Sequence, residues 1–255
     1  MISLASTFRT RLPGLATLVL AALLVAACGG QDEQRTVIQD IAEAYEEARE
    51  SVARGNYRRG IQIYEAIQAR YPFSELSRQI QLELMYAYYK AGQKELAIEV
   101  AETFMRENPI HPRVDYAMYI QALSYFEGGP GFLERWFRKD INKRPPKDVE
   151  QSYVTLRRLV ERYPASAYAP DAQQRMIYLR NRLAAYENYV ADYYIRLGAY
   201  VAAVKRATRA VEEYNGADST AKSLKTLARA YDALGMSDLA EDTRRVLATN
   251  YPNES

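Results

Sequence analysis

The sequence predicts an all-α fold, an α-solenoid of five helical hairpins with an insertion in the third. Three observations carry that prediction. From Thr36 onward apolar residues recur at spacings of three and four, and nowhere do they alternate over the length of a strand. A set of Gly, small, aromatic and Pro positions repeats along the chain, its last slots being Pro72, Pro109, Pro164, Asn215 and Pro252, spaced 37, 55, 51 and 37. Finally, 255 residues at 48% apolar and 26% charged have the composition of a globular chain long enough for a repeat array.

The N-terminal residues read as an address rather than as part of that fold. Arg9 and Arg11 precede the apolar run 12–26, and residues 1–27 contain no acid. The run is 15 residues long and interrupted by Pro13 and Gly14, short of the ~20 that a membrane-spanning helix needs, so it reads as a secretory signal peptide. Val25-Ala26-Ala27-Cys28 looks like a bacterial lipobox, in which cleavage leaves Cys28, the only Cys of the chain, as a multiply acylated first residue. Stable attachment takes about two acyl chains, so such a residue holds the membrane without further help. Gly29, where an Asp marks retention in the inner membrane, points to the periplasmic face of the outer membrane, and residues 28–35 form the lipidated Cys and its flexible tether.

The first hairpin pairs a helix beginning near Thr36 with the segment 55–72, in which Gly55, Tyr57, Gly60, Tyr64, Ile67 and Pro72 fill the slots of the tetratricopeptide (TPR) template. Tyr88, Gly92, Ala97, Ala101, Phe104 and Pro109 repeat them in the second. In the third, Ala122 and Tyr125 mark one helix and Ser152, Leu156, Leu159 and Pro164 the other. Its two small-residue slots are 30 apart instead of 12, an insertion of 18. Ala191, Tyr194, Gly198, Tyr200, Ala203, Ala207 and Ala210 make the fourth, whose first helix is extended over about Asp171–Leu197. Ala228, Tyr231, Gly235, Ala240 and Leu247 make the fifth. Small residues let antiparallel helices approach, aromatics fill the groove between them, and Gly and Pro end each helix. The chain thus divides into an N-terminal half, 36–126, an insertion, 127–147, and a C-terminal half, 148–255.

Most enzyme chemistries lack their residues here. One His and one Cys leave no Cys/His metal set, disulfide framework or thiol–imidazole pair, and no cofactor loop or nucleophile motif occurs. His111, between two prolines in 108–115, reads as a turn residue, and Glu46/Glu47 and Glu212/Glu213 as solvated helix faces rather than acid–base dyads. The sequence predicts no enzyme, cofactor or metal. Without Arg9 and Arg11, 32 basic residues face 32 acidic ones, so general attraction to nucleic acid is excluded. The insertion holds the only Trp and a local +5 over 135–147. It reads either as a surface loop with one short helix held down by Trp136 and Phe137, or as a docking site for an acidic partner.

The inner face of the hairpins is more informative. Transferring the TPR register puts Tyr45, Tyr86, Tyr89, Tyr116, Tyr119 and Phe126 on that face of the first three units, together with Val52, Leu82 and Leu123. In the last two units the same slots hold Asp192, Ile195, Arg196, Lys222, Lys225, Arg229 and Asp232. An aromatic groove suits an extended peptide with aromatic side chains, and a charged face suits a folded polar domain. Inter-helix packing is the other account of most of the 22 tyrosines.

Several strings extend the likeness: RYPFS (70–74), AYYKAG (87–92), NPIHPRVDYAMY (108–119), RMIYLRNRLAAYE (175–187), VADYYIRLGAYVAAVKRA (190–207) and LATNYP (247–252). With the lipobox and the five units, they resemble the BamD (ComL) family of outer-membrane β-barrel assembly lipoproteins. The resemblance implies a non-enzymatic scaffold whose N-terminal repeats receive the aromatic-ended C-terminal signal of unfolded outer-membrane proteins. It further implies that the C-terminal repeats hold a POTRA domain of the BamA subunit and accessory lipoproteins. Arg206 matches the family arginine that pairs with an acid of that domain, with Lys205 and Arg196 in the same string as further BamA-binding residues. Two positions depart from the family pattern: Leu197 precedes Gly198 where an Arg is expected, and Pro145 stands where an acid precedes Pro. A TPR lipoprotein of the pilotin type, assisting secretin or pilus assembly, predicts the aromatic face but not these strings. A peptidoglycan-associated enzyme or activator would need a catalytic or wall-binding constellation that is not present.

Overall fold

A computed structural model describes residues 39–74, 76–126 and 144–254. The signal peptide, Cys28, the tether and most of the insertion, with Trp136 and Phe137, lie outside the described residues. Among the described residues all regular structure is helical. The helices are α1 (39–53), α2 (Tyr57–Arg70), α3 (Ser77–Lys90), α4 (Lys94–Glu107), α5 (Val114–Tyr125), α6 (Lys147–Arg162), α7 (Ala169–Arg196), α8 (Tyr200–Glu212), α9 (Thr220–Ala233) and α10 (Ser237–Asn250). They pair in sequence as five hairpins, in the fold class the sequence predicts.

Four of the five hairpin turns are built alike. Gly55, Gly92, Gly198 and Gly235 adopt left-handed φ of 71–81°. After each, the next amide reaches back five residues to a carbonyl of the ending helix, Asn56 to Ser51, Gln93 to Tyr88, Ala199 to Tyr194 and Met236 to Tyr231, at 2.8–3.0 Å. This αL closure satisfies carbonyls that the ended helix would leave unpaired. In the third hairpin the two helices are separated by the insertion, most of which lies outside the described residues.

The described residues form two compact units, divided between Ile80 and Gln81. In the first, α1 and α2 run antiparallel with Tyr45 against Tyr64 at 5.8 Å and Arg59 paired with Glu47. Gly60 sets their separation: a Cβ there would overlap Val52 Cγ2 and lie 3.2 Å from the Ala48 carbonyl oxygen.

In the second unit each helix from α4 to α10 packs on the next in chain order, and α7 also touches α9. That succession is the stacking of a solenoid. Ala97, Ala101, Ala203, Ala207 and Ala210 have no exposed surface, as expected of small residues where helices cross. Phe104, Leu156, Leu159, Leu179 and Leu183 fill the core between them, each contributing about 1.5–3 kcal/mol by leaving water. With 28 residues α7 is about 42 Å long, and it opens with Pro170 in its first turn. It begins at Ala169 rather than Asp171. Lys147, which the sequence places in the insertion, is the first residue of α6.

Candidate aromatic groove and charged docking face

Several aromatic residues of the second unit converge where α5 meets the start of α7. Tyr116, Tyr119 and Phe126 are half-buried on or just after α5, and Tyr86 and Tyr89, one turn apart on α3, pack half-buried against the same core. Tyr168, at the N-cap of α7, stacks on Tyr119 with ring centres 4.8 Å apart and planes 18° apart, and lies 5.6 Å from Tyr116. One end of this platform carries Arg113, 4.7 Å from the Tyr116 ring, and the other Arg175, 4.9 Å from the Phe126 ring. Tyr178 closes that end, 5.9 Å from Phe126.

Asp171 ties the platform together. The Tyr119 hydroxyl donates to Asp171 Oδ2 at 2.6 Å, and Arg175 Nε donates to the same oxygen at 2.5 Å. Burial pushes the Tyr119 phenol up to about 12, helped by that bond. Burial also drives Tyr116 far upward, with the Glu83 carboxylate of α3 adding to it, while Arg113 works against it. Both rings therefore stay neutral under any physiological condition. Arg175 is neutralised by Asp171, whereas Arg113 lies over the Tyr116 ring, donates to the Tyr168 hydroxyl at 3.4 Å, and has no ion pair among the described residues. The result is an aromatic surface with one unmatched cation beside it, a combination that takes an aromatic side chain and a carboxylate.

Of the six groove residues predicted from sequence, the structure gathers five in this unit, and Tyr45 lies in the first unit against Tyr64. Val52, Leu82, Leu123 and Ile195, which the register puts on the inner face, are buried in the cores. That face is therefore narrower than the slots imply. Tyr168, Asp171, Arg175, Tyr178 and Arg113 were not predicted. Tyr168, at the N-cap of α7, and Asp171, Arg175 and Tyr178 on it precede the TPR template, so no slot covers them. Their signal was local: Asp171, Arg175 and Tyr178 recur at four and three residues on one stripe. His111 is the turn residue expected, its Nδ1 accepting the Arg113 amide at 3.1 Å and its ring edge-on to Phe104.

The second face lies on α7 and α8. Arg206 is 36% exposed, and its Nη1 donates to Glu187 Oε2 at 3.1 Å. Glu187 is 3% exposed and also accepts from Arg209 Nη1, at 3.1 Å on Oε1. Arg209 in turn donates to Glu150 on α6 at 2.6 Å and to Glu213 at 3.0 Å. Burial works against the Arg209 charge, but these carboxylates outweigh it and raise the guanidinium far above its usual range. Lys205 is exposed beside Arg206 and lines a depression of about 430 Å³ with Tyr200, Val201, Ala202 and Leu234. Arg196 is exposed at the end of α7, 6.0 Å from the Tyr193 ring, near the exposed Leu197 and Val201. The other charged slots are mostly self-paired: Lys222 holds Asp192 at 2.7 Å, Lys225 holds Glu254 at 3.3 Å, and Arg244 holds Asp232.

Among the described residues no cluster of His, Cys, Asp or Glu could hold a metal. No described helix is long and apolar enough to cross a membrane.

Residues 39–247 match the family model YfiO, described as an outer membrane lipoprotein. The chain is 39% identical to the outer membrane protein assembly factor BamD of Neisseria meningitidis serogroup A, over 90% of this chain and 88% of that protein. It is 35% identical to the BamD of Vibrio cholerae serotype O1, over 91% of this chain and 96% of that one. Among solved structures, a thermophilic TPR protein of Thermus thermophilus aligns with TM-score 0.36 and 16% identity, covering 83% of this chain and 92% of that one.

Proposed function

The chain belongs to the YfiO (BamD) family of outer-membrane lipoproteins and is an outer-membrane protein assembly factor, and from that premise we propose that it is the periplasmic scaffold of a β-barrel assembly (BAM) complex. It receives the C-terminal signal of unfolded outer-membrane proteins on the α5–α7 platform and binds a POTRA domain of BamA, with accessory lipoproteins, through the α7–α8 face. Acylated Cys28 holds it to the periplasmic face of the outer membrane. It works by binding alone, without catalysis.

The observation that carries the peptide half of this reading is the stacked pair Tyr119–Tyr168 with Arg113 beside it. A peptide ending in an aromatic residue offers a ring for the platform and a terminal carboxylate for the unmatched guanidinium. The docking half rests on Arg206 and Lys205 midway along α8 and Arg196 at the end of α7, with Leu197 and Val201 exposed between them in the chain.

A mild-detergent pull-down of the tagged, lipidated protein from envelopes, with every stoichiometric partner identified by mass, tests the reading. Recovery of a barrel protein carrying POTRA domains is the expected result. Recovery of a secretin in its place would move the chain to the pilotin class.

A further inference from the structure

Arg206 is not a free surface arginine. Its Nη1 is engaged from the core side by Glu187, at 3.1 Å to Oε2 and 3.4 Å to Oε1, while Nε and Nη2 make no hydrogen bond among the described residues. Those two groups form one edge of the guanidinium plane, the fork that matches a carboxylate with two parallel hydrogen bonds. A long side chain left to itself samples many rotamers and loses that freedom on binding. Here one nitrogen is already fixed by an acceptor that is almost fully buried and belongs to a different helix.

Glu187 is held in its turn. Arg209 donates to its other oxygen at 3.1 Å and is itself anchored to Glu150 on α6. A carboxylate this deep is costly to bury without cations paired to it. Arg209 supplies one that does not depend on what Arg206 does outside.

We propose that Glu187 is the positioning residue of the Arg206 docking contact, fixing the guanidinium so that its Nε–Nη2 edge faces outward for a partner carboxylate. The inference rests on the docking half of the function proposed above. It makes affinity at Arg206 depend on the packing of α6, α7 and α8, because the acid that aims it sits where those helices meet.

The test is a double-mutant cycle on binding of the full lipidated protein to the purified POTRA region of the same bacterium's BamA. Arg206→Ala and Glu187→Gln should each weaken binding about tenfold or more, and the double variant should be no weaker than Arg206→Ala alone. Arg206→Lys replaces the guanidinium that Glu187 holds but leaves Glu187 and its pair with Arg209 in the chain unchanged. It keeps the charge without the fork, and should lose nearly as much as Arg206→Ala. Glu187→Gln binding as tightly as the parent, or losses that simply add, would overturn the positioning role while leaving the docking contact standing. Full binding by Arg206→Lys would likewise overturn it, and needs no substitution in the core. Full binding by Arg206→Ala would remove the docking contact itself, and the inference with it.

Discussion

Ser152 donates its hydroxyl to the carbonyl oxygen of Ala122 at 2.9 Å, joining the two helices of the third hairpin across the insertion that separates them in sequence. Ala122 lies in the last turn of α5, where carbonyls run short of intrahelical donors. The Phe126 amide bonds to Leu123 instead. Both residues are fully buried, so the bond is shielded from water. Among the described residues the hairpin is thus tied by a helix-end bond made from the partner helix.

Ser152→Ala should therefore cost about 1–2 kcal/mol, read as a lower thermal midpoint with helical content unchanged. Ser152→Val should cost more, because the added methyls enter a fully packed site while the carbonyl stays unpaired. A Val variant as stable as the parent would mean that the two helices are not held at this point.

The close approach of α1 and α2 at Gly60 makes a second prediction. Gly60→Ala drives a Cβ into Val52 Cγ2 and towards the Ala48 carbonyl, and Val52 is β-branched and unable to swing aside cheaply. A loss of about 1–3 kcal/mol in chemical denaturation follows. Val52→Ala combined with Gly60→Ala should recover part of it, since the clash is chiefly with that methyl. No recovery would place the obstruction in the backbone of α1.

How far these positions were legible in the sequence differs for identifiable reasons. Gly60, Ala122 and Ser152 were readable because helix crossings admit only small residues at a fixed period. Tyr116 and Tyr119 were readable from the same register. Tyr168 and Asp171 were not, because they precede the repeat in the extension of α7, where the template has no slots. Glu187 was invisible for another reason: an acid within a helix reads as a solvated face, and nothing local reveals that two arginines from the next helix bury it. Leu82 and Leu123 went the other way, taken for groove residues because a slot specifies a direction but not the depth of the neighbouring packing.

Asp171 gives a pH dependence. Burial alone would raise its carboxyl, but the hydrogen bonds from Arg175 and Tyr119 outweigh it and hold it below the ordinary value. A carboxyl lowered in the folded state contributes stability above its unfolded value of ~3.9, and loses it as pH falls through the folded one. Asp171→Asn should melt below the parent at neutral pH, and the gap should narrow as pH drops below about 4. A gap constant from neutrality to acid would show that the carboxylate charge is not what matters.

The platform itself is tested by separating its rings from its hydroxyls. If clients are held by stacking, Tyr168→Ala removes a ring in contact with both Tyr119 and Tyr116, and should weaken a peptide with an aromatic C-terminus by about three- to tenfold. Tyr119→Phe keeps the stack and deletes only the bond to Asp171, so it should bind that peptide as the parent does. Arg113→Gln addresses the other end. It should weaken the free-acid peptide about tenfold and leave its C-terminal amide unaffected, because the amide has no charge to lose. The amide comparison also guards against misfolding, since a collapsed groove would lose both peptides alike. Equal losses for acid and amide would transfer the recognition of the terminus away from Arg113 and leave the platform with rings alone.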